Sequence, residues 1–181
     1  KYLQFLKKIS RLDFDCIGLS FIQNPKIIIK LKKLYPKKLF ISKIENYLGY
    51  KNRISIIKES DAIMIDRGDL SAEVGISKLS QYTDRIIQDA KKIGKPVIIA
   101  TENLNSLIHE TSPSKSDVVN LDYYILKNVD YLMLSDETAT SKNWKNTIYW
   151  LSNYLKKKIK NIKTKPLLIE EITNNLKNQN V

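Results

Sequence analysis

Lys43 lies near the end of the apolar run Leu39 to Ile44, and Glu45 follows that run at once. In a β-strand residues i and i+2 share a face, so these two charges would project side by side. A strand of such composition is normally buried, and a buried lysine or glutamate is costly unless it is paired or bound to something. An amphipathic stretch, Tyr50 to Lys58, separates this run from a second one, Ala62 to Ile65, which leads into Arg67-Gly68-Asp69. Strand, helix and strand with charges at both carboxyl ends form the βαβ pattern, in which a ligand sits at those ends. Two readings are open at this point. The charges form a binding site, or Lys43 and Glu45 are a structural ion pair with a turn aspartate at Asp69.

The rest of the chain repeats this organisation. Residues 1–10 read as the end of a helix. A first strand over Cys16 to Phe21 is followed by a helix from Asn24 to Tyr35, with Pro25 in its first turn and Pro36 closing it. Beyond Asp69 a loop, Ser71 to Gly75, leads to a helix from Ser77 to Ile93, whose Leu79, Tyr82, Ile86, Ile87 and Ala90 keep the helical period. Gly94 is its cap and Val97 to Ala100 the next strand, stopping at Thr101. A short helix (Leu104 to Glu110) and a longer one (Ser114 to Asn128) precede a last strand, Tyr131 to Leu134. A helix from Lys145 to Ile162 and a polar amphipathic tail complete the chain. Pro166 marks the expected transition, with 1–165 as one unit and 166–181 as a polar tail or the start of another domain.

Composition narrows the function classes. The chain has 181 residues, of which 43% are hydrophobic and 28% charged, enough for one domain with a sizeable core. No apolar run approaches the length of a membrane-spanning helix. The start, Lys-Tyr-Leu, shows no initiator methionine or targeting segment and reads as an internal piece of a longer protein. The net charge of +12 invites a nucleic-acid hypothesis. However, the lysines are spread over nearly every helix without interleaved aromatics. The densest run (Lys156, Lys157, Lys158, Lys160, Lys163, Lys165) is broken by Ile159 and Ile162 at helical spacing, as on a solvated helix face. A nucleic-acid partner is therefore the weakest reading. Cys16, the single cysteine, reads as a core residue, and His109, the single histidine, as a surface or boundary side chain.

Five βα units in 181 residues are either part of a (β/α)₈ barrel, which needs about 250 residues, or an open five-stranded sheet. No G-x-G-x-x-G follows the first strand, and polar residues end all five, which disfavours an open nucleotide-binding sheet. A resemblance decides between them. Lys43-Ile44-Glu45-Asn46, Gly49, Asn52, Ser60-Asp61, Ile63-Met64 and Arg67-Gly68-Asp69-Leu70 fall in register with the pyruvate kinase family. Ser20-Phe21-Ile22, Gly94-Lys95-Pro96-Val97 through Ala100-Thr101, and Met133-Leu134-Ser135-Asp136-Glu137-Thr138-Ala139 extend the match. The resemblance covers Asp13 to Ala139 and implies an α/β fold: strands four to eight of a TIM barrel.

It also implies a chemistry, transfer of phosphate from phosphoenolpyruvate to ADP in glycolysis. By resemblance Lys43 is the catalytic lysine at the moving phosphoryl group, and Glu45 and Asp69 are the Mg²⁺ carboxylates. Arg67-Gly68-Asp69 would offer backbone N–H groups to the substrate carboxylate, and Thr101 would touch that carboxylate near the carbon being protonated. Ser20, Ser135 and Glu137 are supporting candidates at the same mouth. K⁺ is implied too, with ligands on strands that have no counterpart here. A homotetramer is expected, joined partly through the helix of Pro113 to Asn128. Location is expected to be cytoplasmic, with a plastid-type organelle as the alternative.

The pattern is broken at several places. Asp66 stands where the family has alanine, Ser71 replaces glycine, and Gly75 replaces proline. Glu102-Asn103 replaces a Gln-Met pair, Lys115 an arginine, Asn120 an aspartate, and Asp136 a glycine. These changes leave the fold expectation intact and open an alternative: a catalytically degenerate member with a structural or regulatory role.

Overall fold

The five apolar runs become five parallel strands in one sheet, in sequential order. The computed structural model describes residues 6–7 and 12–160. The expected helix over 1–10 (apart from residues 6–7), the end of the last helix, the boundary at Pro166 and the tail 166–181 lie outside the described residues. The strands are β1 (Cys16–Leu19), β2 (Leu39–Ile44), β3 (Ala62–Asp66), β4 (Val97–Ala100) and β5 (Tyr131–Met133). Helices α1 (Lys26–Leu34), α2 (Tyr47–Lys51) and α3 (Arg53–Glu59) flank β2, and α4 (Arg67–Val74) and α5 (Ile76–Ile93) follow β3. A 3₁₀ turn, Asn105–Ile108, and α6 (Lys115–Leu126) follow β4, and α7 (Asp136–Thr140) and α8 (Trp144–Lys160) follow β5.

Alternation along the strands sorts the side chains into two layers. Phe40, Ile44, Ile63, Ile65, Val97 and Ile99 face the helices. There they form one core with Ile28 and Leu31 of α1, Ile56 and Ile57 of α3, and Ile86, Ile87 and Ala90 of α5. Fully burying each large apolar side chain contributes about 1.5–3 kcal/mol, so this layer dominates stability. Lys43, Met64 and Ile98 are register partners on neighbouring strands and point to the opposite face, as does Asp66 beside Ala100. A smaller cluster of Leu104, Leu107 and Leu121 packs with Trp150 and Leu151 near β5.

The amino ends of the strands are held by aspartates. Asp61 accepts the Phe40 N–H at 2.8 Å and pairs with Lys32 of α1 at 2.6 Å. Asp130 repeats the device, accepting the Val97 N–H at 2.7 Å and pairing with Lys91 of α5 at 2.7 Å. Each carboxylate thus ties a helix to the strand that follows it.

Three expectations change. The stretch Ser71 to Gly75 is not a loop: Arg67 itself begins α4, with Ser71 Oγ bonded to Gly68 O at 2.8 Å and Gly75 ending the helix at φ 82°. Its weak amphipathicity and internal glycine hid it. The single helix expected over Tyr50 to Lys58 is two, joined at Asn52, whose Nδ2 reaches Gln23 O at 2.8 Å. Cys16 is exposed rather than core, because it lies on edge strand β1.

Candidate functional site

The K-I-E-N-x-x-G spacing has a local cause. Asn46 caps α2, its Oδ1 accepting the Gly49 N–H at 2.7 Å. A Cβ at Gly49 would stand 2.6 Å from Ile22 O, so only glycine lets α2 approach the loop after β1. That approach fixes Glu45 at the end of β2, where it is 1% exposed and accepts the Phe21 N–H. Phe21 takes φ 51°, a left-handed backbone that costs a non-glycine residue about 1–2 kcal/mol and turns its N–H toward Glu45.

Lys43 Nζ lies 2.6 Å from Glu45 Oε1 and 3.3 Å from Asp66 Oδ2. Burial pulls the Lys43 pKa down, but the hydrogen bond and charge of Glu45, joined by Asp66, outweigh it and raise the pKa overall. The ammonium is therefore charged at neutral pH. Glu45, Asp66 and Asp69 each offer a carboxylate oxygen, all within 4.8 Å of one another. Lys43 pairs with two of these carboxylates, and the exposed Asp69 lies beside them, so the acids exceed the one ammonium. An all-oxygen donor set of this kind suits a hard divalent cation such as Mg²⁺.

Thr101 adjoins this group. Its Oγ1 accepts the Gly68 N–H at 3.2 Å and lies 3.3 Å from Asp66 Oδ1 and 2.7 Å from Ala100 O. Thr101, Glu102 and Leu104 all have positive φ (63°, 51° and 60°), so the chain leaving β4 is strained. Such clustering of strain is typical of functional loops. Arg67, 6% exposed, turns away from Asp66. It bonds Thr101 O, Asn103 Oδ1 at 3.1 Å, Asn120 Oδ1 at 3.3 Å and Tyr124 Oη at 3.1 Å. Its Nε has no partner among the described residues.

The structure thus brings together Lys43, Glu45, Gly68, Asp69 and Thr101, with Arg67 bracing the loop from behind. Ser20 ends β1 in an exposed turn. Ser135 is spent as the N-cap of α7, accepting the Thr138 N–H at 3.4 Å. Glu137 is exposed in the first turn of that helix. Its own backbone N–H and the Ser135 hydroxyl hold its carboxyl below the ordinary value. None of these three makes a contact with the Lys43 group in the structure as described. Sequence reasoning undervalued Asn103, which is fully buried and joins three elements. Its Nδ2 bonds Ile99 O at 3.1 Å and Met133 O at 2.9 Å while its Oδ1 receives Arg67. An asparagine directly after a strand-end threonine was the available signal.

The pyruvate kinase barrel-domain family model matches residues 3–148 of this chain. The chain belongs to the pyruvate kinase family. It is 34% identical to the pyruvate kinase of Trypanoplasma borreli over 182 aligned positions, covering 93% of this chain and 36% of that protein. To the pyruvate kinase of Thermococcus litoralis it is 39% identical over 132 positions, covering 71% of this chain and 28% of that protein. The crystal structure of Cryptosporidium parvum pyruvate kinase superposes with a TM-score of 0.74 at 30% identity, over 80% of this chain and 32% of that one. The chain spans about a third of the length of the relatives it matches, and its parallel sheet with flanking helices corresponds to part of their barrel.

Proposed function

We propose that this chain carries the phosphoryl-handling part of a pyruvate kinase that moves phosphate from phosphoenolpyruvate to ADP. The observation that carries the reading is the Lys43 ammonium beside Glu45, with Asp69 within metal-sharing distance, at the carboxyl ends of adjacent strands. Phosphoryl transfer is largely positioning and charge stabilisation, and a fixed cation is the main thing the protein must supply. Lys43 stabilises charge on the phosphoryl oxygens. Asp69, in the first turn of α4, would present its backbone N–H to a substrate carboxylate, and the Gly68 N–H would join it on leaving Thr101 Oγ1, as a helix N-terminus favours. Thr101 orients that carboxylate from the neighbouring strand. Glu45 and Asp69 would hold Mg²⁺, which would supply positive charge to neutralise the phosphate oxygens.

The reading includes K⁺, with its ligands outside this chain, a cytoplasmic location, and a homotetramer. Val119 and Leu126 of α6 are 68% and 79% exposed, as apolar residues on an intersubunit helix would be in a lone chain. No helix among the described residues is long and apolar enough to cross a membrane.

A second reading is favoured by one observation: Asp66 already pairs with Lys43. A degenerate member would fold and assemble without turnover. A coupled assay of ATP formation by the full-length protein separates the two. Mg²⁺-dependent turnover supports the first reading, and a folded oligomer without turnover supports the second.

A further inference from the structure

Asp66 is held differently from every other buried carboxylate of the sheet. Asp61 and Glu45 each accept a backbone N–H and pair with a lysine at 2.6 Å. Among the described residues Asp66, 7% exposed, has only long contacts: Lys43 Nζ at 3.3 Å and Thr101 Oγ1 at 3.3 Å. The one Thr101 proton is drawn mainly to Ala100 O at 2.7 Å, which leaves Asp66 the weaker share. Next to it the glycine of Arg67-Gly68-Asp69 keeps space open, since a methyl at Gly68 would come no nearer than 3.7 Å to Asp66 Oδ1 or Thr101 Oγ1. A loosely tied anion therefore sits between a cation and a hydroxyl, the two groups an anionic substrate would use. Its oxygens also lie within 4.8 Å of those of Glu45 and Asp69.

We propose that Asp66 is a specificity-determining residue that competes with anionic substrate for Lys43 and Thr101 until a divalent cation draws its carboxylate toward Glu45 and Asp69. The proposal rests on the functional reading of the same site. It makes the metal a prerequisite for the anion: without the cation the substrate's phosphate and carboxylate meet a fixed negative charge, and with it that charge becomes a ligand. The consequence is a steep dependence of anion affinity on Mg²⁺, which an alanine or asparagine at position 66 would flatten.

The test is calorimetric binding of phosphoenolpyruvate to the full-length protein, with and without Mg²⁺, for wild type, Asp66→Asn, Asp66→Ala and Lys43→Ala. Asp66→Asn keeps the side-chain shape and can still accept a hydrogen bond, so it serves if Asp66→Ala fails to fold. Without Mg²⁺, Asp66→Asn should bind roughly 5- to 1,000-fold more tightly than wild type, the range expected for removing a unit charge about 4 Å from an anion. With Mg²⁺ the gap should close, and Asp66→Asn should bind Mg²⁺ itself more weakly. Equal affinity of wild type and Asp66→Asn without metal, with Lys43→Ala weaker than both, would overturn the inference and leave the functional reading standing. No binding by any of the four, with or without Mg²⁺, would overturn that reading and the inference with it.

Discussion

The two ends of this sheet use the same residue types to opposite effect. At the amino ends two aspartates each have a lysine and a backbone N–H: Asp61 with Lys32 and Phe40, Asp130 with Lys91 and Val97. Each pair ties a helix to a strand, and acids and bases balance. At the carboxyl ends three acids, Glu45, Asp66 and Asp69, gather within 4.8 Å of one another with one ammonium paired to two of them, and the chain leaving β4 carries three left-handed residues. A charge that is fully satisfied within the fold is scaffold. A surplus held in place by backbone strain is available to a ligand. The barrel architecture makes the same division, with stability at the amino face and chemistry at the carboxyl face.

Substitutions can break this comparison from either end. The largest effect belongs to Lys43→Ala in the full-length protein, which should lower kcat on the order of 10³-fold, about 4 kcal/mol of transition-state stabilisation. It also strips the buried Glu45 and Asp66 carboxylates of their shared counter-charge, so stability should fall as well, and the deciding readout is the rate per folded molecule. A variant that melts early but turns over normally would place Lys43 with the scaffold. Asp61→Ala should show the reverse. It leaves the buried Phe40 N–H and the Lys32 ammonium without their acceptor and should destabilise by about 2–3 kcal/mol in chemical denaturation. The rate per folded molecule should not change. Gly49→Ala probes the link between scaffold and site. Its Cβ would press on Ile22 O, costing about 1–3 kcal/mol as overpacking does, and the displacement should reach Glu45. Weaker Mg²⁺ binding should accompany the loss of stability, and a purely thermal effect would separate the two.

Smallest is the effect of pH through Lys43. Its pKa is raised in the folded state, so the stability it contributes is fully present below the unfolded value of about 10.4 and is lost only as pH climbs through the folded value. Activity should therefore show no alkaline limb from this group at pH 8–9. A limb there that disappears in Lys43→Arg would mean that Lys43 titrates low.

Much of this division was legible in the residues. Lys43 and Glu45 two apart at a strand end, and Arg67-Gly68-Asp69 at the next, were expected to gather at the carboxyl ends of adjacent strands, and Lys43, Glu45 and Asp69 do so because strand alternation and βα topology leave little freedom. The strands β2 and β4 were delimited to the residue, since each is bounded by turn signals. What the sequence did not disclose depended on side-chain direction. Arg67, next to Asp66 in the chain, turns away to four neutral acceptors, while Lys43 from another strand reaches Asp66. Asp136, which replaces a glycine of the family, proves unstrained because it opens a helix at negative φ. Helix α4 was hidden because its side chains form no amphipathic pattern and a glycine, Gly68, lies inside it.

The claim that the surplus acid at the carboxyl ends is a metal site, while the balanced acids at the amino ends are not, is tested most directly by Mg²⁺ binding. Calorimetric titration of the full-length protein should find a site whose affinity falls at least about tenfold, or 1.4 kcal/mol, in Glu45→Gln and in Asp69→Asn. The same site should be unchanged in Asp130→Asn. Binding that is equal in all four proteins, or lost only in Asp130→Asn, would contradict the account.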